Sequence, residues 1–299
     1  MTNVWRLNIK TAAKIGVDPR RFCLDKNILG VGWQVNQSGS VDWEGYIAEA
    51  RVKYKSRGRS FSVAINALKN RMKIGDLCWT RDHDGTYYLG KITSGWRYEN
   101  SKENSDADVV NVRNCVWHRV GTVDVVPGKV INSYISGSTV QKVSGENIRR
   151  YSQFLANNKM EGDKYELGKS IDNFLSLLSS DDCEDIVALY MQKNHGFMTI
   201  PSSCKSDTAA YEYVMKHPVT GRKAVAQVKH GNIDLNRKNY KSLDAEVFLL
   251  TTGGTYTGTE ALSIHCLEPE KVLQFAKNNF KLMSDRVQNW MRFDADILT

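Results

Sequence analysis

The stretch KAVAQVKHG (223–231) has the look of a short strand with two members out of place. Ala224, Val225, Ala226 and Val228 suit a buried strand, whereas Gln227 and Lys229 do not. Two positions apart on a strand, an amide and an ammonium point to one face. Upstream, Glu212 interrupts the apolar run AAYEYVMK, where a charge is costly unless it is paired or holds a cation. Asp207 lies just before that run, in CKSDT, and Glu184 lies in DDCEDIV. Carboxylates, an amide oxygen and a lysine gathered in one place are the groups that phosphodiester hydrolysis requires. Hard oxygen ligands hold Mg²⁺ (or Mn²⁺), which polarises the phosphate and lowers the pKa of an attacking water. A lysine beside the ion orients that water or stabilises the negative charge of the transition state. On this reading Glu212 or Asp207 binds the metal with Gln227, Lys229 faces the phosphate, and Glu184 is a further catalytic carboxylate. The competing reading makes Glu212 and Lys229 a plain cross-strand pair and leaves Gln227 to the backbone.

These residues need a hairpin and a helix to bring them together. HPVTGRK is a turn signal, with Pro218 and Gly221 between two β-like runs, so the strand around Glu212 should pair with the strand around Gln227. Residues 171–195 read as helical with a break near Ser179–Ser180, and Asp181 or Asp182 then favours the dipole of the second part. FMTIP and AEVFLLTTGG are further β-like runs, and residues 268–293 close the chain as helix. Helices and strands in that order imply an α/β core around one mixed sheet.

The first half is built differently. Short β-like runs at 28–35, 75–82, 86–93 and 109–126 are separated by glycine-containing turns, the pattern of a compact β-barrel or sandwich. One helix is expected over 60–72, with Phe61, Ala64, Ile65 and Leu68 at helical spacing behind Ser60. Residues 96–108 read as an exposed polar loop, 133–147 as the exit from this domain and 147–160 as a linking helix. RVKYKSRGR (51–59) reads as a solvated loop or strand that, close to DNA, would touch backbone rather than bases.

A chain of 299 residues favours two domains. Its net charge of +8 points to a polyanionic partner, most often nucleic acid. No apolar run approaches the roughly 20 residues that span a bilayer, and MTNVWRLNIK lacks an apolar signal core, so a membrane role is not expected. The six cysteines form no CxxC pair, which fits reduced thiols and a cytoplasmic setting and argues against a zinc knuckle. The six histidines show no metal-ligand spacing.

Taken in order, DCEDIVALYMQKNHGF, SDTAAYEYV, AVAQVKHG and AEVFLLTTGGTYTGTEAL resemble the catalytic domain of Mrr-like restriction endonucleases, a branch of the PD-(D/E)xK superfamily, over about residues 166–268. The family signature is an acidic residue on a helix, an acid on a strand and a nearby (E/Q)xK strand, with glutamine common before xK in this branch. The Gly/Asp-rich pattern frequent before the second strand is missing from SCKSDTAAYEYV, which leaves Asp207 and Glu212 both open as the acidic ligand. GVGW at 30–33, the helix, and KIGDLCWTRDHDGTYYLGKITSGWRY (73–98) resemble a PUA-like domain of the EVE type. That likeness implies an aromatic pocket for a modified base, with Trp33, Trp96, Trp79, Tyr87 and Tyr88 as candidates and Asp82 or Asp84 to read an exocyclic amine.

The combined expectation is a two-domain α+β or α/β chain: a PUA-like β-barrel domain over 1–140, a linker helix over 141–165 and a nuclease domain over 166–299. The resemblance implies a modification-dependent endonuclease that reads a modified base, such as a modified cytosine, in double-stranded DNA and cuts with Mg²⁺ or Mn²⁺. One site cuts one strand, so double-strand cleavage implies a homodimer. The alternative is a modified-nucleic-acid-binding protein whose nuclease domain is degenerate.

Overall fold

The computed structural model describes residues 2–36, 41–135, 137–167, 174–204 and 211–298. The chain is mixed α/β and divides into two compact units, Met1–Gly168 and Lys169–Thr299. Among the described residues no helix is long and apolar enough to cross a membrane.

The first unit runs β1 (Val4–Leu7), α1 (Pro19–Asp25), β2 (Ile28–Val31), α2 (Trp43–Lys53), α3 (Gly58–Asn66), a π turn (Ala67–Arg71), β3 (Leu77–Arg81), β4 (Tyr87–Ile92), β5 (Arg97–Tyr98), α4 (Lys102–Asp106), β6 (Asn111–Gly121), α5 (Gly128–Ser133), β7 (Val140–Lys142) and α6 (Glu146–Lys159). Its strands form one curled sheet in the order β2-β6-β4-β3-β1-β7, with β5 also on β6. The β1–β3 pair is parallel; the other pairs are antiparallel.

Alternation along the strands sends successive side chains to opposite faces. Trp5 and Cys78 enter one core with Tyr46 and Ala50 of α2 and Phe61 and Ile65 of α3. Val4, Leu77 and Trp79 enter the other with Val130 of α5 and Ile148 and Ala156 of α6. The helix expected to link the domains therefore covers one face of the first unit's sheet, and the Trp79 indole donates to Ser152 Oγ of that helix at 3.0 Å. The expected exit at 133–147 contains β7, which pairs with β1. Both findings extend this unit beyond residue 140.

Two further expectations are corrected here. Residues 96–108 hold β5 and α4 rather than an exposed loop, with Tyr98, Asn104 and Ala107 buried. RVKYKSRGR spans the end of α2, a short 3-10 turn and the start of α3. Helix α2 has a sparse apolar face, Tyr46, Ile47 and Ala50, which hides it from a periodicity reading; Asp42 caps it by accepting from the Gly45 amide.

The second unit runs α7 (Ser180–His195), β8 (Met198–Thr199), β9 (Tyr213–Lys216), β10 (Lys223–Lys229), β11 (Leu235–Asn236), β12 (Glu246–Thr251), β13 (Tyr256–Thr257), β14 (Ile264–Cys266), α8 (Pro269–Asn278) and α9 (Asp285–Leu298). The helical tail is thus two helices, not one. The main sheet has the order β14-β12-β10-β9-β8 and is mixed: β8, β9 and β10 run antiparallel, and β12 and β14 continue parallel to β10. Strands β11 and β13 form a separate parallel pair.

Helix α7 begins where the break is expected and packs on β10. Ser179 and Asp182 form a capping box: the Ser179 hydroxyl accepts from the Asp182 amide at 3.1 Å, and Asp182 Oδ2 accepts from the Ser179 amide at 2.9 Å. Asp182 is almost fully buried, and its other oxygen takes the Arg286 guanidinium at 2.7 Å. Removing one member of a buried pair strands the other charge and costs about 3 kcal/mol or more. Asp182→Ala is therefore expected to destabilise the second unit by about 3 kcal/mol and Ser179→Ala by about 1 kcal/mol in urea unfolding. Equal effects from the two changes would show that the Arg286 pair carries no weight of its own.

Candidate functional site

In the second unit the site starts from hairpin register. Ala226 pairs with Tyr213, and one step further Glu212 stands opposite Gln227, its amide donating to the Ala226 carbonyl at 2.8 Å. Gln227 is buried, on the face of β10 that carries Val225 into the core with Leu235, Tyr240 and Val247. The Gln227 amide Nε2 donates to Glu212 Oε1, and Lys229 Nζ lies 3.5 Å from the same oxygen. The three side chains from two strands thus meet at one carboxylate.

Helix α7 supplies the rest. Tyr213 donates its hydroxyl to the Glu184 carbonyl at 3.1 Å, tying the helix's first turns to β9. Asp181, Glu184, Asp185 and Glu212 line one cleft of about 770 Å³ with Tyr213, and Thr199 also borders it. Burial and the charges of Glu212, Asp181 and Asp185 push the Glu184 carboxyl up to about 7, against a smaller opposing pull from Lys229. Burial, with help from Asp182, also raises Asp185.

Asp207, the other expected ligand, lies outside the described residues. Among the described residues no group of three His, Cys, Asp or Glu side chains is placed to hold a metal ion. Hard donors are at hand: the Glu212 and Glu184 carboxylates line one cleft, and the Gln227 amide bonds Glu212. A half-turn of that amide exchanges Nε2 for Oε1 at the same point. A cation there would also relieve the repulsion between Glu184 and Glu212, so the donor set fits a hard divalent ion.

In the first unit the expected base-binding residues separate into three places. Trp79 and Tyr87 are buried in the core under α5 and α6 and are closed to a ligand. Asp82 closes the β3–β4 turn, its carboxylate accepting from the Thr86 amide at 2.8 Å and the Tyr88 hydroxyl at 3.1 Å. Asp84 is exposed in the same turn. Trp33 and Trp96 are half-buried on the opposite face of the sheet, packed against the same core, with Trp33 edge-on to Phe61.

Four residues not anticipated as site members lie around Trp96. Trp43 of α2 meets Trp96 edge-on at 5.1 Å between ring centres, and Tyr46 lies 5.6 Å from Trp96. The Lys69 ammonium, carried by the π turn, sits 4.9 Å from the Trp96 ring and 5.2 Å from Trp43. Asn111, buried on β6, accepts from the Trp96 indole at 3.2 Å and donates to Gly32 O and to Tyr46 Oη. Trp33 has φ = +65°, a region uncommon for a bulky side chain and frequent at binding sites. Gly32 precedes it because a Cβ there would lie 2.3 Å from Asp108 Oδ2.

A family model described as a domain of unknown function (DUF8426) matches residues 5–144. No curated protein and no solved structure matches the chain. The match spans the first unit from β1 to β7 and includes the tryptophan cluster; α6 and the second unit lie outside it.

The sequence signal for the missed residues is weak. Trp43 lies on a helix with a sparse apolar face, Lys69 lies in the expected 60–72 helix at a point where a π turn re-aims it, and Asn111 looks like any polar break in a strand. The carboxylate cleft has a measurable signature in the metal-free protein. Folded Glu184 keeps its proton up to about 7, whereas an ordinary carboxyl, at 4.5, loses it earlier. The folded state thus holds more protons between those values, and its stability falls as pH rises through them. Glu184→Gln is expected to flatten that part of the stability-against-pH curve; an unchanged slope would place the titration elsewhere.

Proposed function

We propose that the chain is a modification-dependent restriction endonuclease: the first unit reads a modified base, such as a modified cytosine, in double-stranded DNA, and the second hydrolyses a phosphodiester bond. The observation that carries this reading is the meeting of Gln227 and Lys229 on Glu212, a carboxylate that lines one cleft with Glu184. The order of parts supports it: an acidic helix, an acid at the start of a strand, a QxK strand and a parallel strand running into Thr251 and Thr252.

Glu212 and Glu184 would hold Mg²⁺ or Mn²⁺, with the Gln227 amide oxygen turned toward it. When bound, the ion supplies polarisation of the phosphate and a more acidic water. Lys229 is left to the phosphate: its ammonium, already beside the carboxylate, faces the charge that grows on the non-bridging oxygens. Gln227 donates to Glu212 while no ion is bound, and the charge of the ion would hold Glu184 ionised despite its raised pKa in the metal-free protein. Each chain supplies one such site, so double-strand cleavage calls for a homodimer.

The modified-base reading rests on Trp33, Trp43 and Trp96. A flipped base stacks on aromatic faces and is read along its edge, and the unusual φ of Trp33, on the same core cluster as the Trp43–Trp96 pair, suits a binding corner rather than plain core. The alternative, a modified-nucleic-acid-binding protein with a degenerate nuclease unit, draws support from the lack of a three-member metal group among the described residues.

A panel of differently modified and plain duplexes, incubated with Mg²⁺ or Mn²⁺, separates the two. The wild type should nick a modified duplex, and Lys229→Ala should slow nicking by about 10²–10³. Absence of nicking on every duplex with either ion would sink the enzyme reading and leave the alternative. Trp96→Ala should lower the preference for modified over plain duplex by roughly tenfold, the scale of one base–aromatic stack, while nicking of plain DNA persists. An unaltered preference would remove Trp96 from the reader.

A further inference from the structure

The first unit has a second cleft, of about 720 Å³, that neither the carboxylates nor the tryptophan corner explains. One wall is α3 with the π turn, carrying Arg59, Ser60 and Arg71; the other is β7 with the residues before it, ending at Lys142. Trp5 lies at its base, and the Arg71 guanidinium stands 5.2 Å from the centre of that indole. No carboxylate lines the cleft among the described residues. The nearby acid, Asp76, is turned inward, accepting from the Trp5 indole at 2.8 Å and from the Lys73 amide at 3.0 Å. Arg59, Arg71 and Lys142 are all exposed at the rim.

The wall formed by β7 has a further property. Among the described residues it is the last strand of its sheet, paired with β1. The loop leading into it is held by the buried Arg6, which donates to the carbonyls of Ser133 and Ser138 and to Gln141 Oε1 at 2.8 Å. The cleft thus sets three cations against a wall that Arg6 holds fixed, with no opposing charge among the described residues. Phosphate oxygens along a nucleic-acid strand take lysine and arginine side chains as donors.

We infer that this cleft is a track for the sugar–phosphate backbone of DNA, with Arg59, Arg71 and Lys142 each neutralising a phosphate. The inference rests on the reading of the first unit as a DNA-binding unit, and assigns it a second surface that carries affinity without sequence or modification preference. Phosphate contacts release counterions, so each lost contact reduces the dependence of log K on log[salt] by about 0.9 for B-form DNA.

The test uses the full-length protein, a fluorescent modified duplex and its plain counterpart, with anisotropy titrations over a salt series. Arg59→Ala and Lys142→Ala alter exposed side chains and should each lower the salt slope by about one. Adding Arg71→Ala should lower it by about three in all. Affinity for the two duplexes should fall by the same factor, leaving their ratio as in the wild type, and Lys102→Ala, an exposed cation on α4 away from the cleft, should change nothing. If the triple variant melts early, the two single changes carry the test. A triple variant with the wild-type salt slope overturns the track. So does displacement of the duplex by polyglutamate as readily as by unlabelled DNA, since the cleft would then be selecting any polyanion. Loss of slope in a protein that never distinguishes modified from plain DNA keeps the track and overturns the base reader. No binding to either duplex overturns both.

Discussion

A carboxylate three-quarters withdrawn from water must be satisfied by its neighbours, and Glu212 is such a group: its side chain keeps 23% of its exposure and meets Gln227 and Lys229. The rest of the second unit can be understood as what that meeting requires. The β9–β10 turn sets the register, because a slip of one residue would send Gln227 and Lys229 to the other face. The turn is closed by the His217 amide donating to the Arg222 carbonyl and the Gly221 amide donating to the His217 carbonyl. Parallel pairing with β12 along six residues buries β10 from its other edge. Helix α7 is then fastened at two points, Asp182 to Arg286 and the Glu184 carbonyl to Tyr213, which brings Glu184 to the cleft that Glu212 lines.

The first unit depends on alternation in the same way. On β3 the Cys78 thiol and the Trp79 indole enter different cores because they are neighbours in sequence. The tryptophan corner lies on the face covered by α2 and α3, so only aromatic residues with that parity, or on the helices over that face, can reach it. Asn111 then locks the corner: its buried side-chain amide hydrogen-bonds Gly32, Tyr46 and Trp96 at once and so fixes the groups it binds.

The legibility of this chain in its sequence follows from the same physics. The QxK strand could be read because a polar pair at i and i+2 contradicts burial on a strand, and a contradiction is informative. The hairpin could be read because Pro218 and Gly221 mark the turn. The break at Ser179 could be read because a serine followed by acids is a helix start. Trp79 and Tyr87 were indistinguishable from ligand-binding aromatics, since a residue type does not tell which face of a sheet it occupies. The extent of the first unit was hidden for a related reason. The short β7 joins a sheet through β1, more than a hundred residues upstream, and nothing local to VQK reports a partner that distant. The π turn that carries Lys69 and Arg71 has no sequence signal comparable to a cap or a turn dipeptide.

The glutamine at 227 can also be understood from charge. Asp181, Glu184, Asp185 and Glu212 already share one cleft, and their mutual repulsion, added to burial, is enough to lift Glu184 to about 7. Residue 227 is deeper than any of these four and directly beside Glu212. A carboxylate there would be desolvated next to a like charge, and one of the two would have to hold a proton. An amide avoids that cost. Its nitrogen donates to Glu212. The side chain that looks misplaced in an apolar strand thus satisfies a neighbouring carboxylate without adding a further negative charge beside it.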